Sequence, residues 1–395
     1  MRILHLVPTY LPAVRYGGPI QNVHNLNKEL VLQGTAVTVL TTNVDGPADL
    51  KVPLGRPVMI DGVEVFYFPT KWLRRWFYTP ALFRFLNKRI HEFDLVHITS
   101  VFLSFSFFGA LAAKRNRKPY IISPRGSLMR QMFASKFWKK NLYFNFIEKR
   151  NLAGAAAIHL TSEAEKTDYL NAGFPAGKIC VIENGLDFEN IDRCEKSAGD
   201  FRKGIGLRSD QKVIVCLGRI DWTKGFDDLI PAFASVFKEF PGAVLLVIGG
   251  DEKGYKKKVL DLIEKNNLGR NVIFTGILQG SEKIAALKSG DVFVQSSYSE
   301  SFGTATAEAM AVGLPVVVTE GVAIASIVKK AGAGLVVRKN YRDLANALIR
   351  VLKNKSEAAT MMNMGKVRSR DIFSYSRIAR YFSALYNETI NDFKK

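Results

Sequence analysis

At 395 residues the chain exceeds the roughly 250–300 residues at which one hydrophobic core stops growing, so two domains of about 200 residues each are expected. With 47% apolar and 23% charged residues it is neither disordered nor collagen-like, and no stretch reaches the ~20 apolar residues of a transmembrane helix. The net charge of +20 is unevenly placed: residues 71–150 hold 17 Lys or Arg against 3 Asp or Glu, and residues 151–200 hold 4 against 9. So basic a block attracts an anionic partner; on charge alone nucleic acid, anionic lipid and phosphorylated substrates all stay open.

The opening MRILHLVPTY has none of the marks of a signal peptide and reads as a first strand. Cys180, Cys194 and Cys216 form no CxxC pair, which argues against a disulfide framework and for a reducing cytosol. The histidines His5, His24, His91, His97 and His159 are scattered, and no HExxH or Cys/His cluster suggests zinc. No metal site is expected.

In chain order, short apolar runs predict strands at Ile3–Val7, Val37–Leu40, Val63–Phe68, Leu95–Ile98, Tyr120–Ser123, Ala156–Leu160 and Ile179–Ile182. Helix-length segments such as Pro19–Leu32 and Val101–Arg115 separate several of them. Runs that are apolar throughout suit parallel strands covered on both faces. The polar stretch Asp187–Ser209 reads as an interdomain connection. The alternation then restarts. Strands are expected at Val213–Leu217, Ala243–Ile248, Val272–Thr275, Val292–Gln295 and Pro315–Thr319. Helices are expected at Phe226–Glu239, Tyr255–Asn266, Glu282–Lys288 and Thr304–Val312. Apolar residues at helical spacing (Ile378, Tyr381, Phe382, Leu385) predict a packed C-terminal helix over Tyr375–Phe393. The class is α/β, with two doubly wound Rossmann-like domains facing each other across a cleft that is the expected site. The expected bounds are 1–190, a linker over 191–209, 210–370, and a helix over 371–395 that packs back toward the first domain.

Three motifs carry chemistry. Gly17-Gly18 lies between the first strand and the first helix, where bare backbone and a helix start form an anion site or a plain tight turn. Gly218-Arg219-x4-Lys224-Gly225 follows the first strand of the second half. Two cations there suit a diphosphate leaving group; the alternative is a solvated surface pair. The third reads Glu300-Ser301-Phe302-Gly303-Thr304-Ala305-Thr306-Ala307-Glu308. Helix-start amides at Phe302, Gly303 and Thr304 would hold a phosphate while the glutamates accept from hydroxyls on either side. Otherwise Glu300 is a capping residue and Glu308 a helix-surface charge, but the neighbours Ala305, Ala307, Ala309 and Met310 are too apolar for a solvated face.

Gly-Gly before helix one, Gly-Arg-x4-Lys-Gly and Glu-x7-Glu together resemble the retaining glycosyltransferases of family 4, of GT-B architecture. The resemblance covers nearly the whole chain and includes Thr161-Ser162-Glu163-Ala164-Glu165, Asn184-Gly185-x-Asp187 and Ala311-x-Gly313-x-Pro315. It implies that Glu308 takes the ribose hydroxyls of a nucleoside diphosphate sugar and Glu300 hydroxyls of the donor sugar. Arg219 and Lys224 would neutralise the diphosphate. Ser301, Phe302, Gly303 and Thr304 would line the phosphates and sugar, and Gly17 and Gly18 would approach the diphosphate on closure. The base would sit near Phe274-Thr275-Gly276. Many members carry a histidine that faces the donor sugar after the fifth strand, where this chain has Arg125 in Ser123-Pro124-Arg125-Gly126. Arginine binds a hydroxyl, a phosphate or an anionic acceptor but is no general base near neutral pH. That fits a front-face reaction in which the leaving phosphate takes the acceptor's proton. No two aspartates are two residues apart, so there is no DxD motif and no metal or other cofactor is expected.

The acceptor belongs on the first domain. Residues 71–78 (KWLRRWFY) and 136–146 (KFWKKNLYFNF) interleave cations with aromatics, as suits peripheral contact with an anionic membrane, or else a basic helix pair whose aromatics belong to the core. The expected partners are thus a nucleoside diphosphate sugar, a glycan or lipid-linked acceptor and an anionic membrane surface, at the inner face of the cell membrane. Nucleic-acid binding explains the charge but not Glu300 and Glu308, so nucleic acid is not an expected partner. A sugar-nucleotide epimerase of the same architecture is the other enzyme reading; it would be less basic.

Overall fold

The computed structural model describes residues 1–13, 15, 18–129, 142–175, 177–195, 197–251 and 254–395. They fall into two units: Met1–Gly185 with Tyr375–Lys395 (unit 1), and Leu186–Ser374 (unit 2).

Unit 1 runs β1 (Arg2–Leu6), α1 (Gly18–Leu32), β2 (Ala36–Thr42), β3 (Val44–Asp45), β4 (Ala48–Asp49), β5 (Pro57–Ile60), β6 (Val63–Phe68), α2 (Pro80–Arg89), β7 (Leu95–Thr99), α3 (Ser104–Arg115), β8 (Tyr120–Ser123), α4 (Lys149–Ala153), β9 (Ala157–Leu160), α5 (Glu163–Asn171) and β10 (Ile179–Val181). Its sheet has the order β10-β9-β8-β7-β1-β2-β6-β5. Only β5 is antiparallel to its neighbour in that sheet. Alternate residues of β1 serve opposite faces: Leu4 and Leu6 pack with Phe105 and Ile122, and Ile3 packs with Val23 and Leu26 of α1.

Unit 2 continues with α6 (Phe188–Asp192), α7 (Ala198–Gly204), β11 (Val213–Leu217), α8 (Phe226–Glu239), β12 (Val244–Ile248), α9 (Lys256–Lys265), β13 (Val272–Gly276), α10 (Gly280–Lys288), β14 (Val292–Gln295), α11 (Thr304–Ala311), β15 (Val316–Thr319), α12 (Ala325–Ala331), β16 (Gly334–Val337), α13 (Tyr341–Lys353) and α14 (Lys355–Phe373). The sheet is wholly parallel, in the order β13-β12-β11-β14-β15-β16. On β11, Val213 and Val215 pack with Ile248 and Phe293, while Ile214 and Cys216 pack with Phe233 on the other face.

The last helix, α15 (Tyr375–Lys394), belongs to unit 1, where Ile378, Phe382 and Leu385 join the core beside α1. Tyr381 is exposed and its hydroxyl accepts from Arg377, so the apolar stripe is i, i+4, i+7 and omits the position that the spacing included. The stretch read as a connection carries two short helices, α6 and α7, each capped by the side chain of the preceding Asp187 or Ser197. Helix α3 starts at Ser104, three residues later than the apolar run suggested, because Ser100 and Phe102 have left-handed backbone. Among the described residues no helix is long and apolar enough to cross a membrane.

Candidate active site

In a doubly wound sheet the loops leaving the two strands on either side of the reversal of strand order open a crevice. In unit 2 those strands are β11 and β14. The loop after β11 carries Gly218, Arg219 and Lys224; the loop after β14 carries Glu300, Ser301, Phe302 and Gly303. Sequence 76 residues apart is thus brought to one end of one sheet. The loops are bound to each other: the Ser296 hydroxyl donates to the Lys224 carbonyl (2.7 Å) and the Tyr298 amide to the Thr223 carbonyl (2.8 Å). Gly225 has left-handed backbone (φ +65°), and a Cβ there would stand 2.2 Å from the Ser296 carbonyl oxygen, so the close approach admits only glycine.

Lys224 forms an ion pair with Glu300 Oε2, and Gln295 Nε2 lies 3.3 Å from the same oxygen. Arg219 is exposed at the start of its loop. The backbone of Glu300 is fixed on both sides, its amide donating to Gly321 (3.1 Å) and its carbonyl accepting from Ala323 (3.2 Å). Phe302 is buried and meets Phe373 edge to face at 5.7 Å, so its ring is core and only its backbone faces outward chemistry. Gly303 (φ +106°) has no room for a Cβ against Val322 and Ile324, and helix α11 begins at the next residue. Among the described residues the amides of Phe302, Gly303 and Thr304 donate to no backbone acceptor outside the helix ladder, and they supply the positive end of that helix. Glu308, one turn into α11, pairs with Lys283 of α10 at 2.7 Å, both side chains being partly exposed.

The sequence reading did not single out Lys283, Gln295 or Ser296. Lys283 lies 25 residues before its partner and in no motif; only the packing of α10 beside α11 reveals it. Phe274, Thr275 and Gly276 end β13, an edge strand, with the Lys256 ammonium 4.6 Å from the centre of the Phe274 ring. The assembled parts are two carboxylates that accept from hydroxyls, lysines beside each, and a helix start that attracts an anion.

In unit 1, Gly18 is the first residue of α1, and Gly17 lies outside the described residues, as do residues 136–141 of the basic aromatic segment. Arg125 follows β8 with left-handed backbone (φ +51°). Its guanidinium is turned into unit 1: Nη1 donates to Asn22 (3.0 Å) and to Asn184 (2.9 Å), while the buried Nε has no hydrogen-bond partner among the described residues. Asn22 in turn donates to the Gly185 carbonyl and the Tyr375 hydroxyl, both at 3.1 Å.

Beneath Arg125, histidines scattered in sequence come together. His5 and His97 are register partners on β1 and β7, their rings stacked at 4.2 Å. His159 Nε2 faces the Ile182 carbonyl (2.9 Å), which only accepts, so that nitrogen carries the proton. The chain of donors then follows: Tyr386 hydroxyl to His97 Nδ1 (2.8 Å), His97 Nε2 to Ser123 (2.6 Å), Ser123 to His159 Nδ1 (2.7 Å). Burial, with the positive charge of Arg125 as a lesser cause, keeps these rings neutral: His5 and His159 titrate at about 3, and His97 is pushed well below the usual range. Among the described residues no three His, Cys, Asp or Glu are grouped as metal ligands.

Comparison with known proteins agrees with this architecture. The family described as glycosyl transferases group 1 matches residues 198–368, and that described as glycosyl transferase 4-like domain matches 17–185. The chain is 31% identical to an uncharacterized glycosyltransferase of Methanocaldococcus jannaschii over 56% of its own length and 55% of that protein's. It is 24% identical to the alpha-monoglucosyldiacylglycerol synthase of Acholeplasma laidlawii over 99% of this chain and 98% of the relative. HepE of Anabaena, solved with UDP and glucose, superposes with a TM-score of 0.77 at 21% identity, covering 98% of this chain and all of HepE. One family match in each unit, on this fold, places the chain among the GT-B glycosyltransferases.

Proposed function

We propose that the protein is a retaining, metal-independent glycosyltransferase that moves a sugar from a nucleoside diphosphate sugar to a glycan or lipid-linked acceptor in cell-surface polysaccharide assembly. The observation that carries this reading is the Lys224–Glu300 pair at the β11/β14 crevice, with helix-start amides beside it that have no backbone acceptor among the described residues and Glu308 one turn into α11. HepE, a similar protein, was solved with UDP and glucose, which favours this donor class. The Acholeplasma relative is named for a diacylglycerol glycolipid, which favours a lipid-linked acceptor.

In this reading the acceptor oxygen bonds to C1 of the sugar on the face from which the nucleoside diphosphate departs. The bond from C1 to the β-phosphate oxygen breaks, its electron pair stays on that oxygen, and the same oxygen takes the acceptor's proton. Lys224 has three N–H groups, enough to serve Glu300 and a phosphate together. Lys224, Arg219 and the amides of Phe302, Gly303 and Thr304 stabilise the charge that develops on the diphosphate. Glu300 holds the sugar and Glu308 the ribose. The test is Glu300→Gln. One preorganised electrostatic contact is worth about 2.7–4 kcal/mol of barrier, so kcat should fall about 100- to 1,000-fold with the fold intact. Wild-type turnover in a folded variant would remove Glu300 from the mechanism.

We also propose that unit 1 touches an anionic membrane, at the cytoplasmic face. Trp72 and Leu73 are 72% and 63% exposed, on a loop held out by left-handed backbone at Leu73 and Phe77 and flanked by exposed Lys71 and Arg75. Phe146 and Leu142 are exposed beside Lys149 and Arg150. Roughly 1 kcal/mol per basic residue near anionic lipid suffices for reversible association. Flotation with phosphatidylglycerol vesicles should drop several-fold in a Trp72→Ser, Leu73→Ser variant, with nucleotide affinity unchanged. Equal flotation of variant and wild type would overturn the contact.

A further inference from the structure

We infer that Gln295 is the positioning residue that sets the rotamer of Glu300 and selects which of its oxygens meets the donor; the inference rests on the role given to Glu300 above. Gln295 ends β14 and is 3% exposed, a primary amide closing a strand that is otherwise Val-Phe-Val. A buried amide is costly to the fold unless every polar atom is matched, and an apolar side chain would serve the packing better. Here each end is matched. Nε2 lies 3.3 Å from Glu300 Oε2 and 3.4 Å from the Ser297 hydroxyl, and Oε1 accepts from the hydroxyl of Thr306, fully buried on α11.

The orientation of the amide follows from the inventory of donors. A carboxylate accepts only, so the NH2 group must face Glu300 and the carbonyl must face Thr306. Thr306 therefore fixes the amide, and the amide fixes the carboxylate. Lys224 also takes Oε2, so both protein donors converge on one oxygen. Oε1 has no protein partner among the described residues and is the oxygen left for a sugar hydroxyl. With the Glu300 backbone already fixed through Gly321 and Ala323, side-chain rotation is the freedom that remains, and Gln295 removes it from the end of β14, itself tied to Thr306 of α11. A misplacement of about 1 Å costs on the order of 100-fold in rate.

The experiment is a double-mutant cycle of Gln295→Met, which keeps the length and loses the amide, with Glu300→Gln. UDP-glucose and GDP-mannose are the donor probes, and release of free sugar is followed. Gln295→Met should lower kcat about 10- to 100-fold with KM within about two-fold, and should cost nothing further in the Glu300→Gln background. Thr306→Val should lower kcat less, because the amide stays but is free to flip. Wild-type kcat in Gln295→Met, or an equal loss in both backgrounds, would overturn the inference. Full activity of Glu300→Gln would instead sink the role of Glu300. Urea midpoints of the same four proteins need no donor: non-additive shifts are expected, and additive ones would remove the contact itself.

Discussion

Each unit is built on its own sheet, wholly parallel in unit 2 and parallel except for β5 in unit 1, that reverses its strand order at the middle, yet the units place their polar groups in opposite ways. Unit 1 holds all five histidines of the chain, and three of them lie within its strands, sealed in the core: His97 and His159 are joined in a hydrogen-bonded line through Ser123, and His5 stacks on His97. Unit 2 has no histidine; its conspicuous polar groups are two partly exposed Lys–Glu pairs, Lys224–Glu300 just past the ends of β11 and β14 and Lys283–Glu308 between α10 and α11. The side chains of these pairs are only 16% to 29% exposed; an ion pair so placed loses in desolvation much of what it gains in attraction, so the pairs in unit 2 are best explained by what they can bind. The neutral line in unit 1 is the reverse: satisfied throughout, it holds a unit together and presents no charge of its own.

The largest effect that can break this contrast is acid. In the folded protein His5 and His159 stay neutral down to about pH 3, while in the unfolded chain they protonate near 6.5. Their folded values are depressed, so the stability they allow is whole above pH 6.5. It is lost as pH falls toward 3, by about 1.4 kcal/mol per pH unit for each ring. Between pH 6.5 and 5 unit 1 should weaken by about 3 kcal/mol while unit 2, with no histidine, holds. Urea unfolding read peptide by peptide by hydrogen exchange should show the two units parting; a joint transition unchanged over that range would contradict the account.

A smaller effect sharpens the same contrast. Ser123→Ala leaves the His97 Nε2–H and His159 Nδ1 without their partner. A loss of about 1–3 kcal/mol is expected from unit 1, with UDP affinity unchanged. An unmoved unfolding midpoint would mean that the line is not a source of stability.

Much of this was legible in the sequence. The expected strands of unit 2 coincide with β11 to β15 to within a residue at either end, because a wholly apolar run bounded by glycine or polar residues has few other solutions. Glu300, Lys224 and the turn at Gly303 could be read because they cluster locally around strand ends. Three things could not. β16, at Gly334–Val337, opens on a glycine directly after Ala331-Gly332-Ala333, so its apolar run does not stand out from the small residues before it. Lys283 reaches Glu308 only through the packing of two helices. The histidine line depends on register, His5 opposite His97, which no single strand records. Arg125 was assigned through the resemblance as a residue that binds substrate; its guanidinium donates to Asn22 and Asn184 within unit 1, contacts that its sequence neighbours do not record.

The central claim is that the charged crevice of unit 2 takes a nucleoside diphosphate sugar without a metal ion. Thermal shift of the full chain with UDP, GDP, ADP and their common sugar conjugates, with and without EDTA, tests it most directly. A ligand at 100 times its dissociation constant adds about 2.7 kcal/mol, well within reach of the method. A shift selective for one nucleotide, insensitive to EDTA and reduced in Glu300→Gln only for the sugar conjugate, is the predicted result. No shift with any of them, or one abolished by EDTA, would contradict it.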